Sequence, residues 1–335
     1  MLAVTRQQYG SPKQIEIVEM PAPDPKPREV LVRVYYTSVN RTDCGVLTGL
    51  PRVFRLFIGW SKPKRPILGT DFAGEVVAVG KSVKRFQPGD RVWGINDEGL
   101  SSQAEYVVLS EKAAIATLPE GIDYPTAAAS AEGPHYAYHM IRALHPQPGQ
   151  RALVYGASGA IGSAMVQLLN YLNVHTVAVA GTDTLDRVAT LGATRLIDYQ
   201  TEDLFQLGLA PFDFVIDAVG KRRFSDFKPL LQQRGVYVST ELGPNAENLY
   251  LPLLTYLRGG RRVIFPIPGR ASRSLSFMHN LLEKGLYRPL IDRSYPVREV
   301  AEAYRYVASG QKVGNVLLDL RDPAVEQWRQ AKGVK

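Results

Sequence analysis

"LVYGASGAIGSAMVQLLNYL", residues 153–172, joins an apolar β-type run to an amphipathic helical run through a glycine-rich turn. Gly156, Gly159 and Gly162 give a G-x-x-G-x-x-G spacing. In a strand–turn–helix unit such glycines let the backbone approach a pyrophosphate and let helix and strand pack closely. The helix N-terminus then offers unpaired N–H groups and partial positive charge to the phosphates. The spacing alone is common, but inside a β-α series it points to a dinucleotide. Ser158, Gly159, Ala160, Ile161 and Gly162 are therefore candidate cofactor-binding residues.

Outward from this turn, strand and helix patterns alternate. "RALVYG" (151–156), "HTVAVAG" (175–181), "TRLID" (194–198), "FDFVIDAVG" (212–220), "GVYVST" (235–240) and "RRVIFPI" (261–267) read as strands. Residues 160–172, 184–191 and about 223–232 read as the helices between them. Apolar strands alternating with helices predict a parallel sheet covered on both faces. The first 125 residues differ. "IEIVEMP", "EVLVRVYYTSV", "FAGEVVAVG", "DRVWGI" and "QAEYVVL", punctuated by "PAPDPKP", "QPGDR" and "NDEGL", predict an irregular all-β domain. Residues 125–145 are alanine-rich and helical in character. From about 270 the chain returns to helix ("SLSFMHNLLEKG", "VREVAEAYRYVASG") and strand ("NVLLDL"). At roughly 100–200 residues per domain, 335 residues suggest two domains.

The end of the second strand bears on which dinucleotide binds. An Asp or Glu there binds the ribose hydroxyls of NAD. Here Gly181 holds that place, followed by Thr182 and Asp183. Small residues leave room for a 2′-phosphate, which Arg187 and Tyr199 would contact, while Asp183 would oppose it. The balance favours NADPH over NADH.

Composition excludes several classes. Apolar residues at 45% and charged residues at 21% are ordinary for a soluble globular protein. Cys44 is the single cysteine, which excludes an intrachain disulfide and a cysteine-rich zinc lobe and suits a reducing cytoplasm. The N-terminus does not read as a signal peptide, and no run approaches the roughly 18 apolar residues of a membrane helix. The net charge of +8 is unevenly spread. Between Cys44 and Thr70 there is no acid but Arg52, Arg55, Lys62, Lys64 and Arg65; between Asn248 and Leu282 there is none but Arg258, Arg261, Arg262, Arg270 and Arg273. These stretches read either as a solvated basic surface or as a field that draws in an anionic cofactor or substrate. No motif supports nucleic-acid binding.

"ILGTDFAGEVVAVGKSVKRFQPGDRVWG" (67–94), "GASGAIG" (156–162), "LGATRLIDY" (191–199) and "DAVG" (217–220) together resemble the medium-chain dehydrogenase/reductase superfamily. The nearest likeness is to its zinc-free, quinone-oxidoreductase-like branch of the zeta-crystallin type. The resemblance implies an α/β fold in which a Rossmann doubly wound parallel sheet (126–269, NADP(H)-binding) is inserted in a GroES-like irregular β catalytic domain (1–125 and 270–335). It also implies an active site in the cleft between the domains, and a homodimer, with the sheet-edge strand "RRVIFPI" as a candidate contact. Zinc alcohol dehydrogenases of the superfamily carry a ligand cysteine in a C-R-[ST]-D context, which here reads Asn40-Arg41-Thr42-Asp43. The histidine of their G-H-E motif is Thr70 here, and the third ligand falls near Ala131 or Glu132. No metal is therefore expected. Cys44 lies outside these positions and reads as a small buried residue rather than a cleft-lining residue or nucleophile.

Without zinc the substrate carbonyl needs hydrogen-bond donors. By the resemblance, Asn40 is the first candidate, with capping of the backbone as its alternative. Asp43 would orient Asn40's surroundings or cap a helix. His135 and Tyr136 would line the nicotinamide side and donate a hydrogen bond or a proton; His139 would be structural. Val219 in "DAVG", Thr240 in "STELG" and Pro266 in "FPIPG" would flank the nicotinamide, with Asn315 a weaker candidate. The segment 47–66, with Phe54, Phe57 and Trp60 among its bases, would cover the substrate, contact another subunit or run over the surface. The expected function is NADPH-dependent, zinc-independent hydride transfer to a quinone, an enone or another activated carbonyl compound. The alternatives are reduction of an enoyl thioester and, from another class, a non-catalytic NADP(H)-binding sensor or RNA-binding protein.

Overall fold

The computed structural model describes residues 1–52, 55–95 and 101–321, which form two units. The first comprises Met1–Glu132 with the described residues from Ala271, the second Gly133–Arg270. In the first, β1 (Leu2–Arg6) and β2 (Ile15–Glu19) form an antiparallel ribbon. The long strand β3 (Glu29–Val39) buries Val30, Val32 and Val34, the period-2 signature of a strand with one face inward. Next come α1 (Arg41–Thr48), α2 (Arg55–Ile58), β4 (Asp71–Val79), β5 (Arg91–Ile95), β6 (Tyr106–Ser110), β7 (Ile115–Thr117) and α3 (Tyr124–Ala129). The turn expected at "NDEGL" (96–100) lies outside the described residues.

The second unit holds α4 (Glu132–Leu144, whose first residue belongs to the first unit), β8 (Arg151–Tyr155), α5 (Ala160–Tyr171), β9 (His175–Ala180), α6 (Leu185–Ala189) and β10 (Arg195–Asp198). It continues through β11 (Phe212–Asp217), α7 (Phe224–Phe227), β12 (Leu231–Ser239), α8 (Glu247–Arg258) and β13 (Arg262–Ile264). Its six strands are all parallel, in the order β10-β9-β8-β11-β12-β13. The order reverses between β8 and β11, which makes that gap the switch point of a Rossmann-type sheet. Leu153, Val179, Ile197, Phe212, Phe227 and Tyr237 build the core on these strands and α7.

The chain then returns to the first unit with α9 (Ala271–Glu283), β14 (Ile291–Pro296), α10 (Val300–Ser309) and β15 (Asn315–Asp319). The seven-stranded GroES-like sheet runs β14-β15-β3-β4-β5-β7, with β6 also on β3. All pairs are antiparallel except β14 with β15.

Some elements depart from the sequence reading. The helical stretch 125–145 is two helices, broken between α3 and α4 at Ser130–Ala131, and α3 packs on β3 and β4 of the first unit. The helix expected over 223–232 is one short turn, because Pro229 sits in a 3₁₀ turn that leads directly into β12. Helix α8 was not anticipated at all. It contains Pro252, and its apolar residues Leu249, Leu253 and Leu257 face solvent, so neither propensity nor burial marks it.

Candidate active site

The first cluster sits where β3 ends and β4 begins. Asn40 is the extended N-cap of α1: its side-chain oxygen accepts the Asp43 N–H at 2.9 Å, and the Asp43 carboxylate accepts the Asn40 N–H at 3.0 Å, a capping box. The Asn40 amide Nδ2 donates to Ser38 Oγ at 3.3 Å and to Thr70 Oγ1 at 3.2 Å. Both amide protons are therefore directed at neighbours within the protein. Thr70, in turn, is left with its own hydroxyl proton to donate. Asn40 and Thr70 thus form one hydrogen-bonded pair, in which Asn40 donates and the Thr70 hydroxyl accepts.

The pair rests on a buried polar base. Asp71 accepts from Ser38 N at 2.7 Å, Ser38 Oγ at 2.6 Å and Thr37 Oγ1 at 3.3 Å. Burial nevertheless pushes its carboxyl up to about 6, against those bonds. Asp43 is fully buried, and burial, then repulsion from Glu132 and Asp71, holds its carboxyl well above the usual carboxylate range; its Oδ1 has no hydrogen-bond partner. The Arg6 guanidinium is 1% exposed, makes no hydrogen bond among the described residues, and lies within electrostatic reach of Asp43 and Tyr304. Lys312, whose ammonium donates to the Gly314 carbonyl at 2.6 Å, is pulled down by burial and coupled to Glu132. Arg6, Thr70 as a donor, and Lys312 are the residues the sequence reading missed. Arg6 faces Asp43 of α1 and Tyr304 of α10, Thr70 faces Asn40, and Lys312 faces Glu132, all far along the chain, so no local spacing announces them.

Cys44 packs against the core of the first unit and directs its thiol at the Tyr304 carbonyl, 3.9 Å away. Burial pushes the thiol up to about 12, so no thiolate forms near neutral pH.

The second cluster surrounds the glycine turn of the second unit. Gly159 caps α5 without a side-chain bond, leaving its first-turn N–H groups uncovered by any side-chain cap. Gly162 has no room for a side chain: a Cβ there would lie 2.1 Å from the Gly156 carbonyl oxygen. Gly156 has φ +86°, and its Cβ would strike Val219, so the loops after β8 and β11 meet at the switch point. The Val219 loop is pinned by Asp217, whose Oδ1 accepts the N–H groups of Val219 at 2.8 Å and Gly220 at 3.0 Å while Oδ2 accepts the Tyr237 hydroxyl. Asp217 is a further positioning residue that sequence reasoning passed over. At the end of β12, the Thr240 hydroxyl is buried with no partner, a polar group in need of a ligand.

His135 and Tyr136 lie on α4, whose start abuts the first turn of α5: a Cβ on Gly133 would be 3.0 Å from Ala160. His135 is 2% exposed, and burial, then the neighbouring His139, lowers its imidazole to about 4. It is thus a neutral hydrogen-bonding ring at neutral pH. His139 accepts the Gly269 N–H, a structural bond. Around Gly181, the Tyr199 hydroxyl would sit 3.1 Å from an added Cβ. Thr182 is committed to the next strand, donating its hydroxyl to Asp198 at 2.5 Å and its N–H to Gln200. Arg187 lies on α6, and Pro266 follows β13. Asn315 belongs to the first unit and spends its amide on the Leu290 carbonyl at 3.0 Å, a backbone-holding role. Phe54 and the Phe57 side chain lie outside the described residues.

Comparison with known proteins places these clusters in a family. A model of the alcohol dehydrogenase GroES-like domain matches residues 26–120, and a zinc-binding dehydrogenase model matches residues 191–318. The chloroplast envelope quinone oxidoreductase homolog of Arabidopsis thaliana is 30% identical over 92% of this chain and 95% of its own. Among solved structures, a quinone oxidoreductase from Coxiella burnetii superposes with a TM-score of 0.84 at 24% identity, over 96% of this chain and 99% of that one. The Escherichia coli quinone oxidoreductase complexed with NADPH gives 0.80 at 23%, over 95% of this chain and 100% of that one. The chain belongs to the medium-chain dehydrogenase/reductase superfamily, in its quinone-oxidoreductase-like branch.

Two fits can be tested within this superfamily. At the first two positions implied for zinc the donors are an amide and a hydroxyl already bonded to each other, and near the third stand Ala131 and Glu132; with no thiolate or imidazole among them, this set does not fit zinc. The switch point does fit a dinucleotide, because the uncapped α5 N-terminus and the unsatisfied Thr240 hydroxyl both call for polar partners.

Proposed function

We propose that this chain is a zinc-independent, NADPH-dependent oxidoreductase that delivers hydride to a quinone, an enone or another activated carbonyl compound. The observation that carries the reading is the Asn40–Thr70 hydrogen bond, a neutral donor pair standing where zinc-type relatives place metal ligands. The quinone oxidoreductases among its relatives, and the NADPH complex of one of them, support the substrate class and the cofactor.

The α5 N-terminus and the turn 158–162 would hold the pyrophosphate, Val219, Thr240 and Pro266 the nicotinamide, and Gly181, Thr182, Arg187 and Tyr199 the adenosine ribose. When bound, the cofactor supplies the hydride. Thr70 donates its hydroxyl proton to the substrate oxygen, where negative charge grows as the carbon is reduced. Asn40 keeps that hydroxyl aimed by occupying its lone pair. His135, neutral at working pH, contributes a hydrogen bond rather than a charge, and Tyr136 stands beside it as the second donor. The working assembly is a homodimer formed through the exposed apolar face of α8.

Turnover of NADPH by the purified protein with a panel of quinones, enones and an enoyl thioester tests this reading, with metal analysis of the same preparation. Quinone or enone reduction without stoichiometric zinc is the expected result, and Thr70→Val is expected to lower kcat on the order of 100-fold. No turnover with any quinone or enone, or one tightly held zinc per chain required for activity, overturns it.

A further inference from the structure

The segment after α2 folds into a closed tip on the first unit. The Lys64 N–H donates to the Ile58 carbonyl at 2.9 Å and the Gly59 N–H to the Arg55 carbonyl at 2.9 Å, so the chain doubles back between Ile58 and Lys64. The base of the tip is clamped. The Tyr9 hydroxyl donates to the Gly59 carbonyl at 2.6 Å, and the Arg55 guanidinium sits 4.5 Å from the Tyr9 ring centroid while its Nε donates to the Gly49 carbonyl at 3.0 Å.

Gly59 is buried at the clamp, while side chains on both sides of it are exposed. Trp60 is 69% exposed and Leu56 62%. Lys62, Lys64 and Arg65 are exposed beside them, and no acid occurs anywhere between Cys44 and Thr70. Exposed apolar side chains that cluster, rather than scatter, mark an interaction surface. The mixture here is specific: an amphipathic indole, an aliphatic side chain and flexible cations, held on a fixed base.

We propose that the tip from Gly59 to Arg65, together with Leu56, docks this protein on an anionic lipid bilayer. The cations face the negative surface potential of the headgroups, the Trp60 indole sits at headgroup level, and Leu56 enters the acyl boundary. A nucleic acid would match the cations and stack on the indole, but it offers no apolar phase for Leu56. No described helix is long and apolar enough to cross a membrane, so the association is peripheral and weakens with salt. The inference rests on this surface and not on the reading of the active site.

Sedimentation of the full chain with phosphatidylcholine vesicles, and with vesicles containing phosphatidylserine, tests it. Binding to the anionic vesicles alone, falling as salt rises, is expected. Lys62→Ala with Lys64→Ala should weaken that binding roughly 25-fold, at roughly fivefold per base. Trp60→Ala should weaken it roughly tenfold while leaving the salt slope unchanged, whereas Trp60→Phe should retain most of it. Unchanged melting temperatures show that the variants still fold. Equal binding to neutral vesicles, no binding to either, or undiminished binding by the lysine pair variant overturns the proposal. So does displacement from anionic vesicles by a short single-stranded oligonucleotide at stoichiometric concentration.

Discussion

At the scale of single residues, His135 carries the clearest pH signature. Its imidazole lies near 4 in the folded chain against about 6.5 when unfolded, chiefly through burial. Between those values the unfolded chain binds the proton and the folded chain does not. Stability is therefore fully present above about pH 6.5 and is lost as pH falls toward 4, by about 3 kcal/mol in all. Replacing His135 with Gln, which cannot charge, should flatten that part of the acid limb in a melting series. An unchanged acid limb would mean that the ring is protonated in the folded state. The legibility of this scale follows distance along the chain. The Asn40–Asp43 cap closes within four residues, so N-R-T-D can be read directly. The Asn40–Thr70 bond spans 30 residues and depends on β3 pairing with β4, which no spacing encodes. Arg6 is harder still. A lone arginine in an apolar strand is invisible until the strand is known to be buried.

At the scale of elements, the turn between β9 and α6 is where the choice of dinucleotide can be tested. A charge-assisted contact from Arg187 to a 2′-phosphate is worth about 1.5–3 kcal/mol. Opposing it is Asp183, the acid in the first turn after Gly181. If attraction wins by about 1.4 kcal/mol, NADPH should bind about tenfold tighter than NADH. Gly181→Asp should reverse the preference, mainly by weakening NADPH. The new side chain would meet the Tyr199 hydroxyl, but that ring is exposed and can swing aside. Fluorescence titration of both proteins with both cofactors measures this, and equal or tighter NADH binding by the wild type would refute it. The strand–helix series itself was readable because buried parallel strands are continuous apolar runs. Asp198 escaped notice because its effect on Thr182 crosses from β10 to the end of β9.

At the scale of the molecule, long-range pairing sets what the sequence conceals. Strand β15 closes on β3, and the Tyr36 hydroxyl reaches Asp319 across 283 positions at 2.6 Å; nothing local foretells such a return. The same scale holds an exposed apolar face. On α8, Leu249, Leu253 and Leu257 recur at helical spacing and are 54%, 63% and 72% exposed, with Tyr250 and Tyr256 beside them. Val263 N–H donates to Thr255 Oγ1 at 3.0 Å, tying α8 to β13, the last strand of its sheet. An apolar stripe exposed along one helix is costly in a monomer, and a two-fold axis would bring the same stripe of two copies together. A second copy of this chain would bury the stripe. Light scattering should therefore give a dimer, and Leu253→Glu with Leu257→Glu should yield a monomer, because burying two carboxylates costs more than the released apolar contacts return. The Rossmann-type unit of that monomer should keep its cofactor affinity, since the glycine turn lies at β8 rather than at the β13 edge. A wild-type monomer, or a dimer that survives both substitutions, would remove α8 from the interface.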